Sequence, residues 1–309
     1  MKRKLSTVRC TSGWPRWVAA LSSLSFWFLL AGPSVFAQAD PPRLRVASLS
    51  FGSTGIAERS ANSLAAAIKS APGLSLTDRE LTRAAAMGTG YSSSLNLTTL
   101  EATDLGGAIG CEYYFLGDVQ TLRRSPSNKR IYFDSYATIF IVSARTGRLV
   151  FWERLLKSAA TADAAEKLLT AYFDESIPRF LAALRAAALS ERAARAAAAG
   201  HDLPVIAETP EDDSALAQGF RPPAPYRRIR PAYTQAANDA EVEATVDVQV
   251  DLDITGEVQQ VEIARWAGFG LDDESMNAVR QMHFRPAMRN GVAFPIRVLL
   301  RYNFKKPKE

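Results

Sequence analysis

Histidine and cysteine are scarce in this 309-residue chain, with two of each. Cys10 precedes the first apolar run, too early to be a lipidation cysteine, and Cys111 is alone in the body of the chain. Once an N-terminal segment is removed, one cysteine can form neither an intrachain disulfide nor a cysteine metal cluster. His201 lies in a linker-like stretch and His283 between a helix pattern and a turn, so no histidine base stands near a nucleophile pattern. "GYSSS" at Gly90 to Ser94 lacks the second glycine of a G-x-S-x-G elbow, so a hydrolase reading would rest on Ser92 in what reads as a loop. "FGSTG" at Phe51 to Gly55 has the position of an anion-binding turn but neither the P-loop lysine nor a full dinucleotide fingerprint. Asp251 and Asp253 share the polar face of a strand pattern, and Asp272 to Glu274 complement a helix start, so neither group reads as an acid–base pair. No catalytic, cofactor-binding or metal-binding residue is assigned, and the expectation is a protein that is not an enzyme.

Acids are absent from the first 37 residues, which hold Lys2, Arg3, Lys4, Arg9 and Arg16. Removing those five from the 37 basic residues leaves 32 against 32 acidic ones. The basicity belongs to the N-terminal segment, and a general nucleic-acid-binding surface is not expected. Residues 1–37 read as an export signal, with a basic start, the apolar run "WVAALSSLSFWFLLAG", the helix breaker Pro33 and "VFA" ending at Ala37. The alternative is a retained single anchor, because Trp17 to Ala37 is long enough to span a bilayer.

What is present reads as α+β. Residues 43–184 suggest an α/β domain. The strand pattern "LRVASLSF" leads into a helix with Ile56, Leu64 and Ile68 on one stripe, stopped by Pro72-Gly73. Thr77 with Glu80 and Thr98 with Glu101 read as capping boxes. "CEYYFLGDVQTL", "RIYFDSYATIFIVSA" and "GRLVFWERLL" predict an antiparallel meander, with Tyr113, Tyr114, Tyr132 and Tyr136 feeding its core. A helix follows from Ala159. Residues 185–230 read as an alanine-rich helical spacer and a Pro-containing linker, with acids at Glu211, Asp212 and Asp213 and bases at Arg227, Arg228 and Arg230. Residues 231–306 predict β-β-α-β. Val242 to Leu252 alternate strictly, one face apolar and the other wet. "VQQVEIA" pairs back, Leu271, Ser275, Ala278, Val279 and Met282 share a helical face, and Phe294 to Phe304 alternate on a last strand. Phe284, Pro286 and Asn290-Gly291 form a structural hinge between them.

"PAY" at Pro231 to Tyr233, "DITGEV", "GFGLDDESMNAVRQMHFRPAMRNG" and "VLLRYNF" together resemble the TonB C-terminal domain over Pro231 to Phe304. One departure is Thr234, where that family commonly has proline; another is a short linker in place of a long proline-rich reach. "RVASLSFGSTG", "AIGCEYYFLGDV" and "SARTGRLVFWE" more faintly resemble the CsgG-like and TolB N-terminal-like envelope domains. The resemblance to TonB implies capture of a partner's extended peptide at a sheet edge. The candidate edge residues are Phe294, Ile296, Arg297, Val298, Leu300, Arg301 and Tyr302. The expected partner is a protein or peptide, a TonB-dependent outer-membrane receptor among the candidates, or a second copy of the domain in a homodimer. The expected location is the periplasm. A retained anchor would instead place the chain in the inner membrane, as a TonB-type energy transducer acting in transport.

Overall fold

The structure is a computed structural model that describes residues 43–125, 130–199, 206–209 and 219–306. The export segment, His201 and the acids at 211–213 lie outside the described residues. Contacts group Pro41–Glu309 as one compact unit.

The chain order begins β1 (Leu44–Ser48), α1 (Gly55–Ser70), β2 (Leu74–Leu76), α2 (Arg79–Gly88), α3 (Thr99–Ile109), β3 (Tyr113–Arg124), β4 (Tyr132–Ser143), β5 (Leu149–Ala159) and α4 (Ala162–Ala198). These strands form one sheet in the order β2-β1-β3-β4-β5, with β1 parallel to both neighbours and the meander antiparallel. Thr54 caps α1 by accepting from the Ala57 N–H, and Ile56, Leu64 and Ile68 are buried as their spacing predicts. Of the two capping boxes, Thr98 and Glu101 form both arms. At α2 the cap is Asp78, not Thr77, because the Asp78 carboxylate accepts from the Leu81 N–H. Helix α4 runs unbroken from residue 162 to 198, through residue 184 and through Pro178, so the alanine-rich stretch continues the helix that covers the sheet. Phe173, Phe180 and Leu184 of α4 pack with α1 on one sheet face.

Three short strands follow, β6 (Ala207–Glu208), β7 (Phe220–Arg221) and β8 (Ala224–Pro225), then the single-turn α5 (Gln235–Asp239). The C-terminal unit contains β9 (Ala244–Leu252), β10 (Val258–Arg265), α6 (Leu271–Arg280), the short β11 (Phe284–Arg285), β12 (Met288–Arg289) and β13 (Val292–Ala293), and finally β14 (Ile296–Phe304). Its main sheet has the order β10-β9-β14-β6, and α6 packs on it with Leu271, Ser275, Ala278 and Val279 buried. The α+β class and the β-β-α-β order are as the sequence predicts. Residues 219–225, read as linker, are in place as strands: β7 pairs with β12 and β8 with β11. Asn290 and Gly291, at φ +52° and +83°, turn the chain between β12 and β13.

A continuous core joins the two halves. Trp266, 1% exposed, donates its indole N–H to the Gly147 carbonyl at 3.0 Å and meets Phe140 edge-on at 5.6 Å. Phe269 packs on Phe140 at 5.9 Å and Trp152 at 5.2 Å. Asn96, from the first half, binds the backbone of the second: its amide donates to the Thr245 and Trp266 carbonyls, and its oxygen accepts from the Thr245 N–H. Gly147, at φ +65°, must be glycine here, because a Cβ would stand 1.8 Å from the Thr99 carbonyl.

Candidate functional site

Strand β14 is hydrogen-bonded to β9 along its whole length, from Ile296 opposite Leu252 to Phe304 opposite Ala244. On its other side β6 pairs in parallel only with Ile296 and Arg297, and Thr209 donates its hydroxyl to the Arg297 carbonyl at 3.1 Å. From Val298 to Phe304 no described strand pairs with that side. Backbone donors and acceptors on an edge of this kind are free to pair with an incoming chain.

The two faces of β14 differ. Ile296, Val298, Leu300, Tyr302 and Phe304 turn toward the core. On the opposite face Arg297 makes a two-pronged bond to Asp251 at 2.6 and 2.7 Å, and Arg301 does the same to Asp247 at 2.7 and 3.0 Å. Arg265 of β10 reaches Asp247 from the other side at 3.3 Å. Asp247 and Asp251 are 2% and 3% exposed, so this face is less wet than alternation alone predicts, because long arginines lie over the carboxylates. Burial pushes the Asp247 carboxyl up, but the bonds and charges of Arg301 and Arg265 outweigh it and hold it below the usual range. These cross-strand pairs fix β14 against β9.

A groove of about 650 Å³ runs beside the open edge. One wall is Val298 to Tyr302; the other comes from Pro222 to Arg230, and Met282 and Phe284 also line it. Of the seven sequence-predicted residues, Val298, Leu300, Arg301 and Tyr302 line this groove. Ile296 and Arg297 lie between β9 and β6. Phe294 precedes the strand and packs on Phe220 at 6.1 Å, with the Arg289 guanidinium 4.9 Å from its ring. Leu299, 55% exposed, belongs to the edge as well. Arg228, Ile229 and Arg230 are the residues that sequence reasoning did not assign. Their signal was a basic run just before "PAY", which read as linker.

Other candidates fall elsewhere. His283 is exposed, with Nδ1 3.0 Å from the Glu257 carboxylate. Ser92 lies in a loop beside a cavity of about 310 Å³, where Asn96 donates to the Trp266 carbonyl and Arg265 is engaged by Asp247 and the Asn96 carbonyl. Cys111 is buried, which pushes its thiol up to about 12. Among the described residues no cluster of three or more histidine, cysteine or acidic side chains is placed to hold a metal ion.

Residues 229–305 match the family model described as Gram-negative bacterial TonB protein C-terminal. Over those residues the C-terminal unit is similar to a TonB C-terminal domain. Among solved structures, the Pseudomonas aeruginosa TonB C-terminal domain is similar at 20% identity and TM-score 0.23, covering 31% of this chain and 93% of that one. A hypothetical protein from Chlamydia trachomatis is similar at 13% identity and TM-score 0.32, over 45% of this chain and 95% of that one. E. coli LpoB is similar at 13% identity and TM-score 0.26, over 38% of this chain and 57% of that one. A search of curated proteins returned no match. Within the matched residues, the departure at Thr234 has a local reason. The Thr234 hydroxyl donates to the Phe269 carbonyl at 2.6 Å and accepts from the Ala237 N–H, capping α5, which proline could not do.

Proposed function

We propose that this chain is a non-enzymatic envelope protein whose TonB domain holds a protein or peptide partner by adding an extended segment to the β14 edge. The observation that carries this reading is the open side of β14 from Val298 to Phe304, next to a groove of about 650 Å³. Main-chain pairing along the edge supplies affinity, and side chains entering the groove at alternate positions supply selectivity. The Arg297–Asp251 and Arg301–Asp247 pairs support it, because they hold the receiving strand rigid before a partner arrives. The chain would be exported by residues 1–37 and act in the periplasm, with outer-membrane receptors among the candidate partners. Among the described residues no helix is long and apolar enough to cross a membrane.

The test is amide hydrogen exchange on the full chain, with and without peptides from periplasm-facing segments of the host's outer-membrane receptors. Strand addition should slow exchange at alternate residues between Val298 and Phe304. Protection confined to residues 43–198 would place binding in the other half and sink the proposal.

A further inference from the structure

The first sheet also ends on an open strand. In the order β2-β1-β3-β4-β5, β5 has β4 on one side, and no described strand pairs with the other. Val142 stands opposite Leu149 and Ile141 opposite Phe151, so Val150 is an extra residue in the ladder, a bulge. Bulges re-aim side chains and are common beside functional sites.

Two cavities flank this bulge, one on each face of β5. The first, of about 300 Å³, lies toward the C-terminal half, between Trp152 and the start of α6. Ile263, Trp266 and Met276 give it an apolar wall, and Asp272 and Asp273 supply acids. The second, of about 520 Å³, lies toward α4, where Ala187, Ala194 and Ala198 leave room along the helix. Arg145, Arg148 and Arg195 line it, with Glu191 as its one acid. Arg145 and Glu191 engage each other at 3.1 Å, which leaves the positive charge in excess. Asp273 on one side and Arg195 on the other are exposed and make no ion pair among the described residues. Arg148, Leu149 and Val150 line both cavities, so the bulged strand is the ridge between them.

A strand added to an edge sends alternate side chains to opposite faces. Along Arg148 to Trp152, one set would enter the cavity with the aspartates and the other the cavity with the arginines. We propose that this part of the β5 edge is a second docking site, for an extended segment of another protein in which a basic and an acidic residue are neighbours. The basic side chain reaches Asp273, with its stem on Ile263 and Met276; the acidic one reaches Arg195 across the alanines of α4. A segment of uniform charge would be repelled on one face, so the two cavities select the alternation itself. The site shares no residue with the β14 edge and stands whether or not that edge takes a partner.

The experiment uses the full chain and three labelled peptides of about ten residues, with one valine–threonine frame. Their central pair is glutamate–lysine, glutamine–lysine or glutamate–glutamine. Binding is read by fluorescence anisotropy, and its place by backbone amide NMR shifts. The glutamate–lysine peptide should move the amides of Arg148 to Trp152 and bind about threefold more tightly than either of the others, one surface pair being lost in each. Raised salt should narrow those gaps. Arg195→Gln should remove the advantage of glutamate and keep that of lysine, and Asp273→Asn should do the reverse. Both variants should melt close to the parent, since both side chains are exposed. Equal binding of the three peptides would overturn the charge assignment, and so would a preference that either variant leaves intact. No shift at Arg148 to Trp152 with any peptide at about 1 mM would overturn the site. Shifts confined to Val298 to Phe304 would assign the peptides to the β14 edge and overturn this site alone. Concentration-dependent shifts at Arg148 to Trp152 without peptide, with a doubled mass in solution, would put a second copy on the edge and overturn the heterologous partner.

Discussion

Asp272 shows how one carboxylate can hold a loop and still cost stability when charged. Its oxygens accept from the Ala267 and Gly268 N–H groups at 2.8 and 2.9 Å, fixing the turn that presents Trp266 and Phe269 to the other half of the chain. Burial nonetheless pushes its carboxyl up from 3.8 to about 6. Between those values the folded chain keeps a proton that the unfolded chain has released, so this group's contribution to stability falls as pH rises through that window. Asp272→Asn has no such titration. Its stability relative to wild type should be lower by about 1 kcal/mol near pH 4, because one N–H loses its acceptor. The deficit should shrink toward pH 6, as read by denaturant melts at each pH. Asp247 has the opposite sign: its lowered carboxyl stabilises the fold above the unfolded value, and that contribution is lost as acid protonates it. Asp247→Ala should cost about 1–3 kcal/mol at neutral pH and little in acid. Alternation marked Asp247 and Asp251 as polar and opposite the core. It did not reveal the arginine roof, whose members lie 18, 46 and 54 residues away in sequence.

Elements with a long period were legible, and elements without one were not. The alternation in β9, the stripe of α1 and the capping box of α3 each carry a repeated or paired signal, and each appears where expected. The two-residue strands β6, β7 and β8 have no room for a period, so the region around them read as linker. That is also why half of the groove wall went unrecognised. β14 was legible as a strand, but its open side depends on how far β6 reaches, which no pattern within β14 records. In the free protein, amide exchange along β14 should therefore be uneven. Outward-facing amides between Val298 and Phe304 should exchange faster than those bonded to β9, while Ile296 and Arg297 stay protected on both sides. Uniform protection from Ile296 to Phe304 would mean that the edge is already filled.

For the whole molecule, the loop Trp266 to Gly270 decides more than any strand. Aromatics set among glycines in "WAGFG" are expensive to expose, and that was the available sign that this loop docks on something. Here it docks on Phe140 and Trp152, which lie more than 100 residues earlier in the chain. Residues 43–306 should therefore unfold in one transition, with calorimetric and van't Hoff enthalpies agreeing. Trp266→Ala should lower stability by about 3–5 kcal/mol and split or broaden that transition. The N-terminal mass of protein recovered from a fractionated Gram-negative host bears on its place in the cell. A chain beginning at Gln38 in the periplasm agrees with the proposed export; one beginning at Met1 in the inner membrane would favour the anchored transducer. The shared core also makes chain continuity between the halves dispensable. A polypeptide ending before residue 219 and another starting there would each carry half of one hydrophobic surface, and β6 would pair across the break. Expressed together, the two pieces should copurify as a complex with the parent's melting behaviour, and expressed singly each should aggregate. The molecule would then be a heterodimer whose subunits happen to be encoded in tandem.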